Sequence, residues 1–146
     1  MRIQPLEESD LEAIRNLTAD TQALAPDRDS IYWLFSEFFK NTSFITYSKN
    51  KLSGFLLGFM SQTKPKQGYV YSIGVAAEYR GNGIGKRLIE AFQESIRSLG
   101  ADTIYLTTTP DNHMALGFYE HMGFTKPETF LKFGQTRLRL FKSIRV

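Results

Sequence analysis

Residues 78–86 read "EYRGNGIGK", with Gly81, Gly83 and Gly85 at alternate positions between Arg80 and Lys86. The spacing excludes two phosphate-binding loops at once. A Walker loop requires Ser or Thr after its lysine, and Arg87 stands there. A dinucleotide fingerprint requires a glycine three residues after its second, and Lys86 occupies that place. The loop is nevertheless suited to bringing backbone amides close to a ligand.

Its flanks support that use. "GYVYSIGVA" upstream reads as a strand. Downstream, Ile84, Leu88, Ala91, Phe92, Ser95 and Leu99 fall on one stripe of an amphipathic helix that Gly100 ends. The first-turn amides of a helix lack intrahelical acceptors and carry the positive end of its dipole. Glycine lets the backbone curl those amides around one anion, for which phosphate or pyrophosphate is the natural ligand. A tight strand-to-helix turn that uses glycine only for geometry accounts for the glycines equally well.

The remaining chain supplies the layers. "RIQPL" reads as a short edge strand, and Ser9 with Glu12 forms a capping-box pattern ahead of Leu11, Ile14 and Leu17. "APDRD" breaks that helix, and "SIYWLFSEFFK" opens a second one at Asp29 or Ser30. "SFITYS" and "GFLLGFMSQ" are strands joined by a polar turn. "DTIYLTTT" is a further strand, Asn112 caps a helix through "HMALGFYEHM", and "TFLKFGQTRLRLFKS" is a hairpin turning near Gly134. This order predicts one α/β domain over residues 1–146, a mixed sheet covered by helices.

Composition narrows the function. The chain has 146 residues, a net charge of +3 and no cysteine, so disulfides and thiolate metal sites are excluded. Two histidines make a zinc site improbable, and no metal is expected. The mild basic bias suits an anionic ligand and is too weak to indicate nucleic acid. Lys126, Lys132, Arg137, Arg139, Lys142 and Arg145 form no dense basic patch, and half of them should project from strands as a solvated face. "MRIQPLEESD" is no secretion signal and "GFLLGFM" is too short to span a bilayer, so a cytoplasmic protein is expected.

Two motifs together resemble the GNAT family of N-acetyltransferases. "RGNGIG" is similar to its acyl-CoA loop Q/R-x-x-G-x-G/A through Arg80, Gly83 and Gly85. "NHMALGFYEHMGF" is similar to its next motif through Asn112, Ala115, Phe118, Tyr119, Gly123 and Phe124. The resemblance implies a mostly antiparallel twisted sheet with about four helices, and two strands that splay at the acyl-CoA site. It assigns acetyl-CoA as co-substrate, with its phosphates on Arg80, Gly81, Gly83, Gly85 and Lys86. Pantetheine would lie along the backbone of Ile73 and Val75, beside Asn112. Tyr119 would be the general acid for the departing thiolate. Asn112 as a plain helix cap and Tyr119 as a plain core residue are the bland alternatives.

The general base stays open. Many relatives place a glutamate on the strand before the loop, and "GYVYSIGV" has no carboxylate. Glu78, His113, an acidic residue of the N-terminal helices and an ordered water are the candidates. For the acceptor, "PDRDSIYWLFSEFFKNTSF" resembles the diaminobutyrate acetyltransferases through Asp27, Ser30, Tyr32, Phe39, Thr42 and Ser43. That resemblance, with the acidic and aromatic chemistry of Asp27, Asp29, Tyr32 and Tyr71, points to a small primary amine such as a diamine or amino acid. The alternatives are a macromolecular amine (a protein or aminoacyl-tRNA) and an acyl-CoA-binding module without turnover. A homodimer is left open.

Overall fold

A computed structural model describes residues 2–20 and 27–145. Ala25 and Pro26, within the helix-breaking "APDRD", lie outside these residues. Among the described residues, seven strands form one sheet in the order β1-β2-β3-β4-β5-β7-β6. They are β1 Gln4–Pro5, β2 Phe44–Ser48, β3 Lys51–Met60, β4 Gln67–Val75, β5 Thr103–Thr108, β6 Glu128–Lys132 and β7 Gln135–Ser143. The helices are α1 Leu11–Asp20, α2 Asp29–Glu37, α3 Ile84–Ser98 and α4 His113–His121. Every neighbouring strand pair is antiparallel except β4 with β5, as expected.

Alternation along β3 shows how the layers are built. Leu56 packs into a core with α3 and α4, including Leu88, Phe92, Tyr119 and Phe124. Its neighbours Phe55 and Leu57 pack on the other face with Ile14 of α1 and Tyr32 and Phe35 of α2. The β2–β3 and β6–β7 hairpins turn through two residues of positive φ, Lys49–Asn50 and Phe133–Gly134, the geometry that follows the twist of the strands.

Two local expectations shift. The buried stripe of α3 is Ile84, Leu88, Ile89, Phe92 and Ile96, while Leu99 lies past the last turn and is 55% exposed. Glycines on the sheet let this helix approach closely. A Cβ on Gly54 would stand 2.8 Å from Ile84 Cγ2, and one on Gly68 2.5 Å from Ile96 Cδ1. Ahead of α1 the cap is set earlier than Ser9 and Glu12. The Glu7 amide donates to Asp10 Oδ2 at 2.8 Å, and Asp10 also accepts from the Tyr47 hydroxyl at 2.7 Å.

The feature that positions the site is a parting of strands. β4 and β5 pair only over Gln67–Val70 and Thr103–Leu106. Beyond Val70, β4 stays with β3 as far as Val75, while β5 stays with β7 as far as Thr108. Both α3 and α4 begin near the mouth of this gap. No helix among the described residues is long and apolar enough to cross a membrane.

Candidate active site

The gap opens into a cleft of about 1200 Å³. One wall is the free edge of β4. The Ala76 amide donates to Ser53 O at 2.9 Å. Antiparallel ladders alternate, so Gly74 bonds to Phe55 of β3 while Ile73 and Val75 turn their backbone groups toward the cleft. The Val75 carbonyl there accepts from Arg80 Nε at 3.3 Å.

The glycine loop closes one end. Gly81 and Gly83 hold φ of 81° and 76°, which side chains with a Cβ rarely adopt. Gly83 precedes α3, and Arg87 N, bonded to Gly83 O at 3.1 Å, makes the first bond of the helix. The amides of Ile84, Gly85 and Lys86 therefore lack intrahelical acceptors, and the first turn carries no acidic residue. Gly85 plays a different part. A Cβ there would come within 2.9 Å of the Phe118 ring, so it sets the approach of α3 to α4.

Across the gap, Asn112 caps α4 by accepting from Ala115 N at 3.3 Å. Tyr119, 8% exposed, packs between Phe118 and Phe124 with ring centroids 5.5 and 5.4 Å away. Its hydroxyl makes no hydrogen bond with the described residues. Burial, and then the nearby Tyr69, push its pKa well above the ordinary phenol range, so it stays protonated.

At the other end, the Tyr71 hydroxyl donates to Asp27 Oδ2 at 2.7 Å. Burial, with the hydrogen bond to Asp27 next, raises this phenol too. A chain of bonds fixes Asp27 from behind. Thr18 Oγ1 donates to Arg15 O at 3.0 Å, which uses its only hydrogen. The Tyr32 hydroxyl, 3.0 Å away, must then donate to Thr18, and it accepts from the Asp27 amide at 2.8 Å.

The cleft thus gathers Tyr119, Ile73, Val75, Arg80, Gly81, Gly83, Gly85, Lys86, Asn112, Asp27 and Tyr71 among its lining residues. Two of the expected acceptor residues are not among them. Tyr32 is 2% exposed in the core beneath α2 and reaches the site only through Asp27. Asp29 is exposed and pairs with Arg15 at 3.0 Å. Two candidate bases also stand outside. Glu78 pairs with Lys51 at 3.0 Å on the surface, and His113 is exposed away from the lining. The carboxylates among the described lining residues are Asp27 and Asp111.

Sequence reasoning missed a third wall, Thr107 and Thr108 of β5 and the following Thr109 with Lys132 and Arg137 of the β6–β7 hairpin. Arg137 is one of six cations of which half are expected on a solvated face. It is half-buried because β7 inserts beside β5, a placement that no local signal announces. Among the described residues no group of three or more His, Asp or Glu side chains is placed to hold a metal ion.

Comparison with known proteins agrees with this geometry. Residues 11–124 match the model of the acetyltransferase (GNAT) family. N-alpha-acetyltransferase 30 of Schizosaccharomyces pombe is 38% identical over 60 residues, 41% of this chain and 40% of that protein. Among similar curated relatives the matched stretch is often well under half of their length, 23% in one mycothiol acetyltransferase. Ard1 from Thermoplasma volcanium superposes with a TM-score of 0.84 at 17% identity, covering 99% of this chain and 98% of that one. Diaminobutyrate acetyltransferase EctA from Paenibacillus lautus, in complex with its substrate L-2,4-diaminobutyric acid and coenzyme A, gives 0.79 at 22% identity, covering 97% and 93%. At these identities the structural likeness bears on the fold alone.

Proposed function

The chain belongs to the acetyltransferase (GNAT) family, and from that premise we propose that it transfers an acetyl group from acetyl-CoA to the α-amino group of a peptide or protein. The pyrophosphate would rest on the free amides of Ile84–Lys86, with Arg80 and Lys86 adding positive charge. Pantetheine would pair with the cleft-facing backbone of Ile73 and Val75. The amine nitrogen then attacks the thioester carbon, the C–S bond breaks, and Tyr119 protonates the leaving sulfur. The nitrogen gives up its proton to water or, through water, to Asp27.

The observation that carries the choice of amine is the absence of a carboxylate on the cleft strand β4. Glu78 and His113 stand away from the lining, and the bases among the described lining residues are Asp27, Asp111 and His121. An α-amine, with a pKa of about 7.7–8.0, is roughly a tenth neutral at pH 7. An alkylamine near pKa 10.4 is neutral in only about one molecule in 2500. A site whose cleft strand supplies no carboxylate base therefore favours the α-amine. The sequence likeness to N-alpha-acetyltransferase 30 supports the same direction.

A second reading, a small diamine or diamino acid, is favoured by Asp27 with Tyr71, a carboxylate beside an aromatic ring that could receive a second ammonium. Sequence likeness to L-2,4-diaminobutyric acid acetyltransferases also supports it. Thiol release with acetyl-CoA decides between them. Peptides with free N termini should be acetylated, while N-terminally blocked peptides containing lysine should not. Acetylation of diamines or diamino acids with no peptide accepted would replace the first reading with the second. CoA binding without transfer to any amine would make the protein a binding module.

A further inference from the structure

We propose that Arg137 is the anchor of an anion subsite in the acceptor half of the cleft, which selects amines carrying a carboxylate close to the reacting nitrogen. This rests on the acetyl-transfer reading of the cleft and adds to it the chemical class of the acceptor.

Arg137 is half-buried on β7 and lines the cleft, yet it forms no ion pair with any described carboxylate. Of its five N–H donors, one has a partner, Nη2 to Thr107 Oγ1 at 3.2 Å. Its Nε is shut off from water without any acceptor. A half-buried guanidinium without an ion-pair partner is unfavourable, and a carboxylate reaching its terminal nitrogens from the cleft would supply the opposite charge and charge-assisted hydrogen bonds, with Nε beyond its reach.

The site around it is ordered for this. Thr107 Oγ1 lies 3.3 Å from the Tyr69 hydroxyl, so Arg137 is tied through Thr107 to the same face of β4 that carries Tyr71. Register gives the reason. Thr107 stands opposite Arg139, two residues from Arg137, so the arginines of β7 project to the face of Thr107 and Tyr105. Lys132, at the end of β6, is a further cation on this hairpin among the described lining residues. The acceptor half of the cleft therefore has a negative end at Asp27 and a positive end at Arg137. An acceptor bearing both an ammonium and a carboxylate matches that polarity. A peptide with Asp or Glu at its first or second position and a free amino acid share this chemistry.

The test uses matched probes. Peptides beginning Asp-Ala, Glu-Ala, Ala-Asp and Ala-Glu are compared with their Asn and Gln counterparts, and 2,4-diaminobutyrate with 1,3-diaminopropane. Wild type should prefer the carboxylate member of at least one pair by about tenfold or more in kcat/KM, with the ratio falling as salt rises. The peptide and free-amine pairs separate the two sources. Arg137→Gln should bring the ratio close to one, and Arg137→Lys should keep part of it. A wild-type ratio near one in every pair, or a ratio that survives Arg137→Gln in a folded variant, overturns the proposal. Equilibrium binding of N-acetylated Asp and Asn peptides to the CoA-loaded protein needs no turnover. Absence of transfer with Arg137-dependent preference for the acid would fail the catalytic reading and leave the subsite standing. Equal binding of acid and amide would remove the subsite itself.

Discussion

Tyr71 donates its hydroxyl proton to Asp27 Oδ2 at 2.7 Å, linking the free edge of β4 to the segment entering α2 across 44 residues of chain. The bond holds one carboxylate at the acceptor end of the cleft. It also leaves the second carboxylate oxygen for an ammonium.

Asp27→Asn removes the charge and keeps the shape. A charge-assisted hydrogen bond is worth about 1.5–3 kcal/mol, so KM for the amine should rise roughly ten- to a hundredfold. KM for acetyl-CoA should stay within about twofold. Steady-state kinetics with each substrate varied in turn checks this, and a parallel rise in both constants would take Asp27 out of the acceptor site.

Tyr32→Phe should act on the acceptor without touching it. Losing one neutral hydrogen bond weakens the hold on Asp27 by about 0.5–1.5 kcal/mol. The expected result is a rise of a fewfold in acceptor KM, with acetyl-CoA affinity unchanged. The same substitution in an Asp27→Asn background should add little. Additive effects in that double-mutant cycle would make Tyr32 a core residue and nothing more.

Tyr119→Phe keeps the ring in its place between Phe118 and Phe124 and deletes the proton donor. Turnover should fall by about a hundredfold to ten-thousandfold with CoA affinity nearly unchanged. Because burial raises the wild-type phenol above its ordinary range, the acid stays loaded as pH increases. The rate should climb as the acceptor amine loses its proton and show no alkaline fall from Tyr119 up to about pH 10. The stability sign follows from the same shift. The folded pKa exceeds the unfolded one, so this contribution is complete below about pH 10 and is lost progressively above it. A pH–rate profile with matching alkaline melts measures both.

Gly83 and Gly85 should separate two roles within one motif. Gly83→Val forces a branched side chain into a left-handed backbone with open space around it, at a cost of about 1–2 kcal/mol if φ is kept. The loop should relax, and KM for acetyl-CoA should rise sharply. Gly85→Ala instead drives a methyl group against Phe118, so the loss should appear in the melting temperature as α3 and α4 part. Melts and CoA titrations of the two variants distinguish these outcomes.

The sequence alone determined the features whose physics is local. Glycines at 81 and 83 before an amphipathic run define a loop that exposes helix amides, and Asn112 defines the start of α4. Strand alternation determined that Ile73 and Val75 share an edge. Only the tertiary structure decided who meets in the cleft. Asp27 and Tyr71 are brought together while Asp29, two residues further on, faces solvent with Arg15. Tyr32 turns inward because its ring fills the core beneath α2. Arg137, from a hairpin whose sequence does not say which cations face solvent, becomes a wall of the site because β7 lies between β5 and β6. Periodicity fixes which residues share a face of an element. Which face becomes a site depends on strand order and on where two strands part, and those are settled by contacts between segments far apart in the chain.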